Sequence, residues 1–396
     1  MKNKNTTLTL LLAGLSAIGP FSIDTYLPAF PAVGASLHAS PVEVQQTLAA
    51  FLLPFSFMML WHGALSDALG RRRVILAGLG LYVLASGLCI FATRIEYLLL
   101  GRALQGFSAG AGMVVGRAMI RDILDGAAAQ KLMSHVSVVY AIAPAIGPVV
   151  GGWTLAFFDW HGIFAFLVLF GAALWLACWR WLPETLAPAR RQSLHPMQLS
   201  RAYLKVFGNH AFMRLAAALA FSFSGFFLYV LSAPVFLVRH LGLSPQAFSW
   251  MFLPMVAGIM GGSFVSGQLA GRLSQTHTIA LGYAVMIAAA AFNIALNLAW
   301  PPGLPWSVLP LPLYTFGLAM TMPSLQIMAL DLFPDNRGLA SSCQAAVLNG
   351  ISTVTAALLV PLLWGSTLTL ACGMSGFLLL GLASFALWWR KRPRLP

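Results

Sequence analysis

The sequence predicts an all-helical membrane protein with twelve spans arranged as two six-helix halves. Of the 396 residues, 59% are apolar and only 8% are charged, which leaves too few polar side chains for the surface of a soluble protein. About a dozen apolar runs reach the roughly twenty residues that cross a bilayer. The halves also repeat, because Ser40-Pro41 recurs as Ser244-Pro245 and the Gly63 segment recurs from Gly267, both 204 residues later.

The repeat and the loops between the spans predict the domain organisation. Residues 1–184 form the first six-helix bundle and residues 210–396 form the second, which ends in a basic cytoplasmic tail. Between them, residues 185–209 are predicted to be a basic cytoplasmic linker loop. The first apolar run is too long for the core of a signal peptide, so it is interpreted as a retained span.

The chain has a net charge of +13, and its basic residues are distributed along the sequence as the predicted topology requires. If the spans alternate, the other side of the membrane keeps only Arg94 and Arg239, so both termini are expected in the cytoplasm. The charges are therefore interpreted as orientation signals and lipid contacts, and nucleic-acid binding is excluded. The basic residues assigned to the cytoplasmic side are Lys2, Lys4, Arg71, Arg72, Arg73, Arg121, Lys131, Arg190, Arg191, Arg201, Lys205, Arg272, Arg337 and the tail from Arg390 to Arg394.

The first span, predicted over residues 7–30, carries a carboxylate where hydrocarbon is expected. No charged residue lies between Leu8 and Pro20, so Asp24 sits well inside the span. A central Asp costs roughly 2.5 to 3.5 kcal/mol to insert, so such residues usually face a wet cavity or a partner. Asp24 is therefore the first candidate for a functional group.

The fourth span offers a partner for this acid. Asp24 lies about sixteen residues, or roughly 24 Å, above the inner start of the first span. Arg102 lies about five residues, or roughly 7 Å, below the outer start of the fourth span in a core about 30 Å thick. Because the two depths agree, Asp24 and Arg102 are predicted to face each other; the alternative is that Arg102 snorkels outward. Arg117, lower in the same span, either lines an inner vestibule or snorkels with Arg121.

The connection after the second span is the most specific motif. It has a glycine, a leucine two residues on, an aspartate two further, a glycine three further, and then basic residues, and it resembles the cytoplasmic loop motif of the major facilitator superfamily. Ala68 stands where that family usually has arginine. The resemblance implies a conformational latch between the two halves. The matching residues are Gly63, Leu65, Asp67, Gly70, Arg71 and Arg72.

Two further segments are similar to motifs of this superfamily. The segment from Gly101 to Gly106 resembles its fourth-helix motif, in which an arginine and a glutamine, here Arg102 and Gln105, line the central cavity. The segment from Ala143 to Trp153 resembles the fifth-helix motif of its drug-exporting antiporters. Its small residues permit close helix packing, and its proline permits a hinge against the other half. The helix that carries Gly258 and Gly262 is a plausible packing partner for this motif. The matching positions are Gly147, Pro148, Gly151 and Gly152.

Aromatic and amide side chains complete the predicted substrate cavity. Aromatic and Met-rich walls suit varied ligands, although an amide within a span more often makes an interhelical hydrogen bond than a ligand contact. The residues assigned to the cavity are Tyr26, Trp61, Gln105, Tyr229, Asn293, Gln344 and Asn349.

Taken whole, the chain resembles the bicyclomycin/chloramphenicol resistance (Bcr/CflA) branch of the superfamily. The segments that point to this branch are 24–30 and 117–124. The resemblance implies the fold of that superfamily and export of amphipathic antibiotics by alternating access, driven by the proton gradient across a bacterial inner membrane. Asp24 and Arg102 would couple the proton. No cofactor or metal is expected, and the expected partners are small drugs, protons and lipid around a monomer.

Two other classes of function stay open at this point. A facilitator or proton symporter for a small metabolite has the same fold, although the fifth-helix motif favours an exporter. A membrane-embedded enzyme would need a nucleophile–base pair or a metal site, and the eight histidines and four cysteines show no such spacing. A sensor or scaffold would have little reason to bury Asp24 and Arg102.

Overall fold

The computed structural model describes residues 2–124, 126–191 and 195–391, and every regular element within those ranges is a helix. The predicted all-helical class is therefore confirmed. The helices are α1 (Lys2–Asp24), α2 (Phe30–Leu37), α3 (Pro41–Leu69), α4 (Arg71–Ile90), α5 (Ile95–Ile123), α6 (Gly126–Phe157), α7 (His161–Trp181), α8 (Pro196–Phe207), α9 (His210–Ala233), α10 (Ser249–Leu269), α11 (Gln275–Ala299), α12 (Pro310–Leu330), α13 (Arg337–Val354), α14 (Val360–Leu363) and α15 (Thr367–Lys391).

Eleven segments within the described ranges are long and apolar enough to cross a membrane. The remaining long helix, α6, contributes a shorter apolar stretch, Ile142–Phe157. With it, the count reaches the twelve predicted spans. The chain is a multi-pass membrane protein.

The chain divides into two compact units, Met1–Pro196 and Met197–Pro396. In the first unit α1 packs against α5, α6 and α7, while α5 also packs against α3 and α4. In the second unit α12 packs against α9, α10 and α11, and α15 packs against α9 and α11. The division falls inside the segment predicted as a linker loop. That segment contains a helix, α8, which the prediction did not include; the basic tail beyond Lys391 and residues 192–194 lie outside the described residues.

Local signals set the helix starts. The Ser40 hydroxyl accepts a hydrogen bond from the Glu43 amide and the Glu43 carboxylate accepts one from the Ser40 amide, at 3.3 and 2.7 Å. This reciprocal cap satisfies two donors that the first turn of α3 would otherwise leave unpaired. Asn209 and Ser274 cap α9 and α11 with a side-chain oxygen that accepts from the backbone amide three residues on.

The first span of each unit is interrupted near its end. α1 runs through Pro20, ends at Asp24 and is followed by a short 3₁₀ turn, Leu27–Ala29, before α2. α9 ends at Ala233 and continues as a π-helical turn, Pro234–His240. Both interruptions coincide with a proline, which removes a backbone donor and loosens a helix. The first span extends to Leu37, beyond the predicted end at residue 30.

Candidate functional site

Asp24 lies where α1 ends and the backbone of α6 comes closest. A Cβ atom added to Gly147 would lie 2.7 Å from the Asp24 Cβ atom, and one added to Gly151 would overlap the carbonyl oxygen of Thr25. Only glycine at both positions lets the two backbones approach this closely. The small residues of the fifth-span motif therefore pack on the segment that carries the acid.

The Asp24 side chain is almost fully buried, with 4% of the residue exposed. None of the ion pairs formed within the described ranges involves it. Its charge acts on the Tyr140 hydroxyl of α6. A buried carboxylate without a cation is costly in a low-dielectric setting, so a proton or a cationic or hydrogen-bonding ligand there would relieve that cost.

Arg102 is completely buried and its contacts correct the predicted pairing. Its Nη1 donates to the Ser22 carbonyl at 2.9 Å and to the Gln105 side-chain oxygen at 2.7 Å. Its guanidinium carbon lies 4.9 Å from the centre of the Tyr26 ring and 4.6 Å from that of Phe51. The prediction that Arg102 faces Asp24 as an ion pair is wrong for this structure, because the guanidinium is held by a carbonyl, an amide and two aromatic faces instead.

The guanidinium keeps spare hydrogen-bonding capacity. Its Nε and Nη2 are buried and have no hydrogen-bond partner among the described residues. Because the Ser22 carbonyl is two residues before Asp24, Arg102 is tied to the same end of α1 as the acid. Depth estimates from helix rise brought the two residues to one level but carry no information about which way each side chain turns.

Three predicted cavity residues of the first unit occupy different environments. Tyr26 is fully buried, with its hydroxyl accepting from Thr47 at 3.0 Å, and Gln105 is fully buried and donates to Ser86 at 2.7 Å. Both side chains are therefore hydrogen-bonded inside the first unit, and their predicted contact with a substrate stays a prediction. Trp61 on α3 is half-buried and stacks loosely on Phe57.

The second-unit candidates separate in the same way. Asn293 donates to the Tyr229 hydroxyl at 2.8 Å, and both residues are fully buried. This pair therefore makes the interhelical hydrogen bond that was the alternative, and its contact with a substrate stays a prediction. Asn349 is half-buried and donates to the Ala345 carbonyl of its own helix. Gln344 is buried, and neither its amide oxygen nor its amide nitrogen has a partner among the described residues.

The loop motif after α3 forms a network within the first unit. Arg71 contacts Asp67 at 2.6 Å, Asp122 at 3.0 Å and the Ser66 hydroxyl at 2.6 Å. The Glu184 carboxylate accepts from the backbone amides of Arg71 and Arg72 at 3.0 and 3.3 Å, where it suits the positive end of α4.

Gly70 makes the tight connection between α3 and α4 possible. Its φ of 102° lies in a region that other residues rarely adopt. A Cβ atom at this position would also meet the carboxylate of Glu184. Gly63 is in looser surroundings, 3.8 Å from Val114 by the same measure. The predicted role of these residues as a latch stays a prediction.

Two sets of glycines singled out in the sequence pack closely within their own units. Gly147 and Gly151 pack on α1, with Pro148 buried beside them, and Gly152 continues the same turn. Cβ atoms at Gly258 and Gly262 would overlap the carbonyls of Pro312 and Phe316, so that face of α10 packs on α12. The packing of the fifth-span motif against α10 is therefore not needed to explain either set of glycines.

Four side chains near Asp24 and Arg102 were not identified from sequence. The Ser22 and Tyr82 hydroxyls lie 2.6 Å apart, and Ser86 accepts from Gln105. Tyr140 lies near Asp24 and keeps 41% of its surface exposed. Ser22 stands two residues before the acid, so its position could have suggested a role, but Tyr140 belongs to no recognisable motif.

The comparisons with known proteins follow this architecture. The family profile of the major facilitator superfamily matches residues 11–357. An uncharacterised MFS-type transporter, YdgK, of Bacillus subtilis is 32% identical over 85% of this chain and 84% of its own length. A bicyclomycin resistance protein homolog of Haemophilus influenzae is 26% identical over 90% of each chain. Multidrug resistance protein D of Escherichia coli is 28% identical over 90% of this chain and 89% of its own.

Solved structures agree on the fold. The D-xylose-proton symporter superposes with a TM-score of 0.76 over 98% of both chains at 14% identity. At that identity the likeness concerns the fold alone. The drug-resistance names of the relatives support the resemblance to the bicyclomycin/chloramphenicol resistance branch. The chain belongs to the major facilitator superfamily and is a transporter rather than an enzyme.

Proposed function

We propose that the protein exports small amphipathic drugs in exchange for protons, with Asp24 as the group that carries the proton. The observation that carries the proposal is a carboxylic acid buried in a membrane span without an ion-pair partner among the described residues. Intramembrane acids of this kind are costly and usually functional. The names of the relatives, which include bicyclomycin resistance and multidrug resistance, supply the substrate class.

In the proposed mechanism a proton and a substrate compete for one acid. Protonation removes the buried charge, and loss of the proton leaves a carboxylate that can be stabilised by a polar or cationic group of the substrate. Arg102 is fixed two residues away through the Ser22 carbonyl. Its two unpartnered nitrogens could bind the ionised carboxylate after a small movement of the end of α1, so Arg102 would couple protonation to the shape of that helix end.

The remaining parts of the proposal concern orientation and conformational change. We place the protein in a bacterial inner membrane with both termini in the cytoplasm, as the basic loops favour. Residues 1–184 and 210–396 would be the two bundles of an alternating-access transporter, joined by residues 185–209. Asp67 and Arg71 would belong to the latch, and Pro148 to the hinge. The proposal requires no cofactor and treats the monomer as the working unit.

The test uses purified protein in proteoliposomes with an imposed pH gradient and chloramphenicol as the probe. Wild type should accumulate the drug against its gradient in the direction opposite to proton flow, and Asp24→Asn should lose this uphill transport while remaining folded. Glu96→Gln is the matched control, because it removes an exposed carboxylate that pairs with Arg94. Normal uphill transport by Asp24→Asn would refute the proposal, and transport in the direction of proton flow would favour the symporter.

A further inference from the structure

Helix α8 (Pro196–Phe207) lies in the segment predicted as a linker loop, and the transport mechanism above does not use it. It ends three residues before His210, which is the first residue of α9 and begins a span. Three extended residues reach at most about 11 Å. Helix α8 is therefore held close to the surface at which that span enters the membrane.

Hydrogen bonds fix the corner between α8 and α9. The Gly208 amide donates to the Leu204 carbonyl at 2.8 Å, and the Asn209 amide donates to the Val206 carbonyl at 3.1 Å. The Asn209 side-chain oxygen then accepts from the Phe212 amide at 3.0 Å and caps α9. The two helices are thus joined by a hydrogen-bonded turn, which keeps α8 in a defined place at the start of the span.

One side of α8 packs on the protein and another side carries exposed apolar groups. Tyr203 and Val206 are buried, whereas Met197 and Leu204 expose 69% and 68% of their surfaces. At roughly 100° per residue, Met197 and Leu204 lie within about 20° of each other around the helix axis and about 100° or more from the buried pair. The exposed residues therefore form one apolar stripe that the protein does not cover.

Two basic side chains border this apolar stripe. Arg201 lies one turn after Met197, and its Nη2 contacts the Met197 sulfur at 3.6 Å; Lys205 lies one turn further. Both are exposed, and neither forms an ion pair within the described ranges. The sequence has no acidic residue between Glu184 and Asp331. Helix α8 and the spans that follow it up to α12 therefore supply no carboxylate to neutralise these charges.

We propose that the exposed side of α8 is a docking surface for anionic phospholipid. Apolar side chains beside basic ones are typical of helices that lie in the membrane interface. Met197 and Leu204 enter the boundary between headgroups and acyl chains, while Arg201 and Lys205 bind lipid phosphates. Because α8 is held beside a span, lipid is always within its reach. The inference goes beyond the proposed function and holds whatever the transported substrate is.

The experiment measures lipid contact at α8 in the full-length protein, reconstituted in bilayers of phosphatidylcholine and phosphatidylglycerol. A fluorescent probe is attached at Ser200→Cys, on the exposed side of α8. The background carries Cys372→Ser, because Cys372 is exposed and the other three cysteines are buried. Quenching of the probe by brominated forms of each lipid gives the relative association constant of phosphatidylglycerol over phosphatidylcholine at this helix.

The labelled parent protein should be quenched by both lipids and should prefer phosphatidylglycerol by about tenfold or more, since each basic residue at an anionic surface contributes about fivefold. Combining Arg201→Gln with Lys205→Gln should leave a preference of less than about twofold. Arg201→Lys should retain most of the preference, because the surface charge is kept. Combining Met197→Ser with Leu204→Ser should weaken quenching by both lipids by about twofold or more.

The matched control is Arg337→Gln, because Arg337 is also an exposed arginine but pairs with Asp331 at 2.9 Å. Its lipid preference should stay within about twofold of the parent protein. Absence of quenching in the parent protein would overturn the proposal, because α8 would then face water. An unchanged preference after both α8 charges are removed would also overturn it, and so would an equal loss in Arg337→Gln, which would indicate a general effect of net charge.

Inorganic phosphate distinguishes a lipid surface from a site for the free anion. Added phosphate should leave the preference for phosphatidylglycerol unchanged, because the lipid is held by its acyl chains as well as by its charge. Loss of the preference upon addition of phosphate at constant ionic strength would contradict the proposal and assign the basic pair to the free anion.

Discussion

The two units connect the same three spans through a serine, but with different hydrogen-bonding groups. In the first unit the Ser22 hydroxyl meets Tyr82 at 2.6 Å and the Ser22 carbonyl accepts from Arg102 at 2.9 Å. In the second unit the Ser222 hydroxyl meets Tyr283 at 3.0 Å, and the Ser222 carbonyl accepts from Tyr314 at 3.0 Å. Each unit thus joins its first, third and fourth spans through a serine, but only the first unit uses a cation.

The same contrast holds for other charges. Asp24, Arg102 and Arg117 lie within spans of the first unit, whereas polar pairs such as Tyr229 and Asn293 serve the interior of the second. At the loop, Asp67 pairs with Arg71, while the matching position of the repeat is Gly271, with a φ of 80°. Neutral hydrogen bonds are sufficient for packing in a membrane. The costlier charges of the first unit therefore indicate where coupling chemistry is concentrated.

The largest expected effect concerns a feature that the units share. A Cβ atom at Gly106 would overlap the Phe51 carbonyl, so Gly106→Val should lower the free energy of unfolding by about 3 kcal/mol or more. Gly262→Val should do the same in the second unit, because its Cβ would overlap the Phe316 carbonyl. Thermal unfolding in detergent, followed by size-exclusion chromatography, measures both.

The control for this prediction is Gly87→Val. Nothing lies within 4 Å of a Cβ atom at Gly87, so this variant should unfold like wild type. If Gly106→Val were as stable as Gly87→Val, the helices could separate at little cost. Close packing at glycine would then not be what stabilises the two units.

A smaller effect separates the units. Arg102→Lys keeps the charge but loses the planar guanidinium whose Nη1 donates to the Ser22 carbonyl and to Gln105 and whose face stacks on Phe51, so it should cost about 2 kcal/mol. Tyr314→Phe removes a single neutral hydrogen bond and should cost less than about 1 kcal/mol. The same unfolding assay compares the two variants. Equal costs would mean that Arg102 acts only as another packing bond.

Sequence reasoning succeeded where a single helix carries the signal. The spans follow from runs of apolar residues, and the small residues at Gly147 and Gly151 predicted close backbone approach, which the structure has. Each of these properties depends on the residues of a single helix. It requires some neighbouring helix, but not a particular one.

It failed where the identity of the neighbour matters. The rise per residue placed Asp24 and Arg102 at one depth, which suggested that they form a pair. The rise does not define the direction in which each side chain points around its helix axis. Arg102 turns to the Ser22 carbonyl and Gln105 instead. Tyr26, Tyr229 and Asn293 were assigned to a cavity because aromatic and amide groups suit ligands, yet the same groups equally satisfy one another in the interior. Tyr140 was missed because it belongs to no motif.

Proton release upon drug binding tests the central claim most directly. In weakly buffered detergent solution without a gradient, saturating chloramphenicol should release about one proton per wild-type molecule, because drug and proton compete for Asp24. Asp24→Asn should release none, and Glu96→Gln should match wild type. Proton release by Asp24→Asn equal to that of wild type would contradict the account, since the coupling proton would then reside on another group.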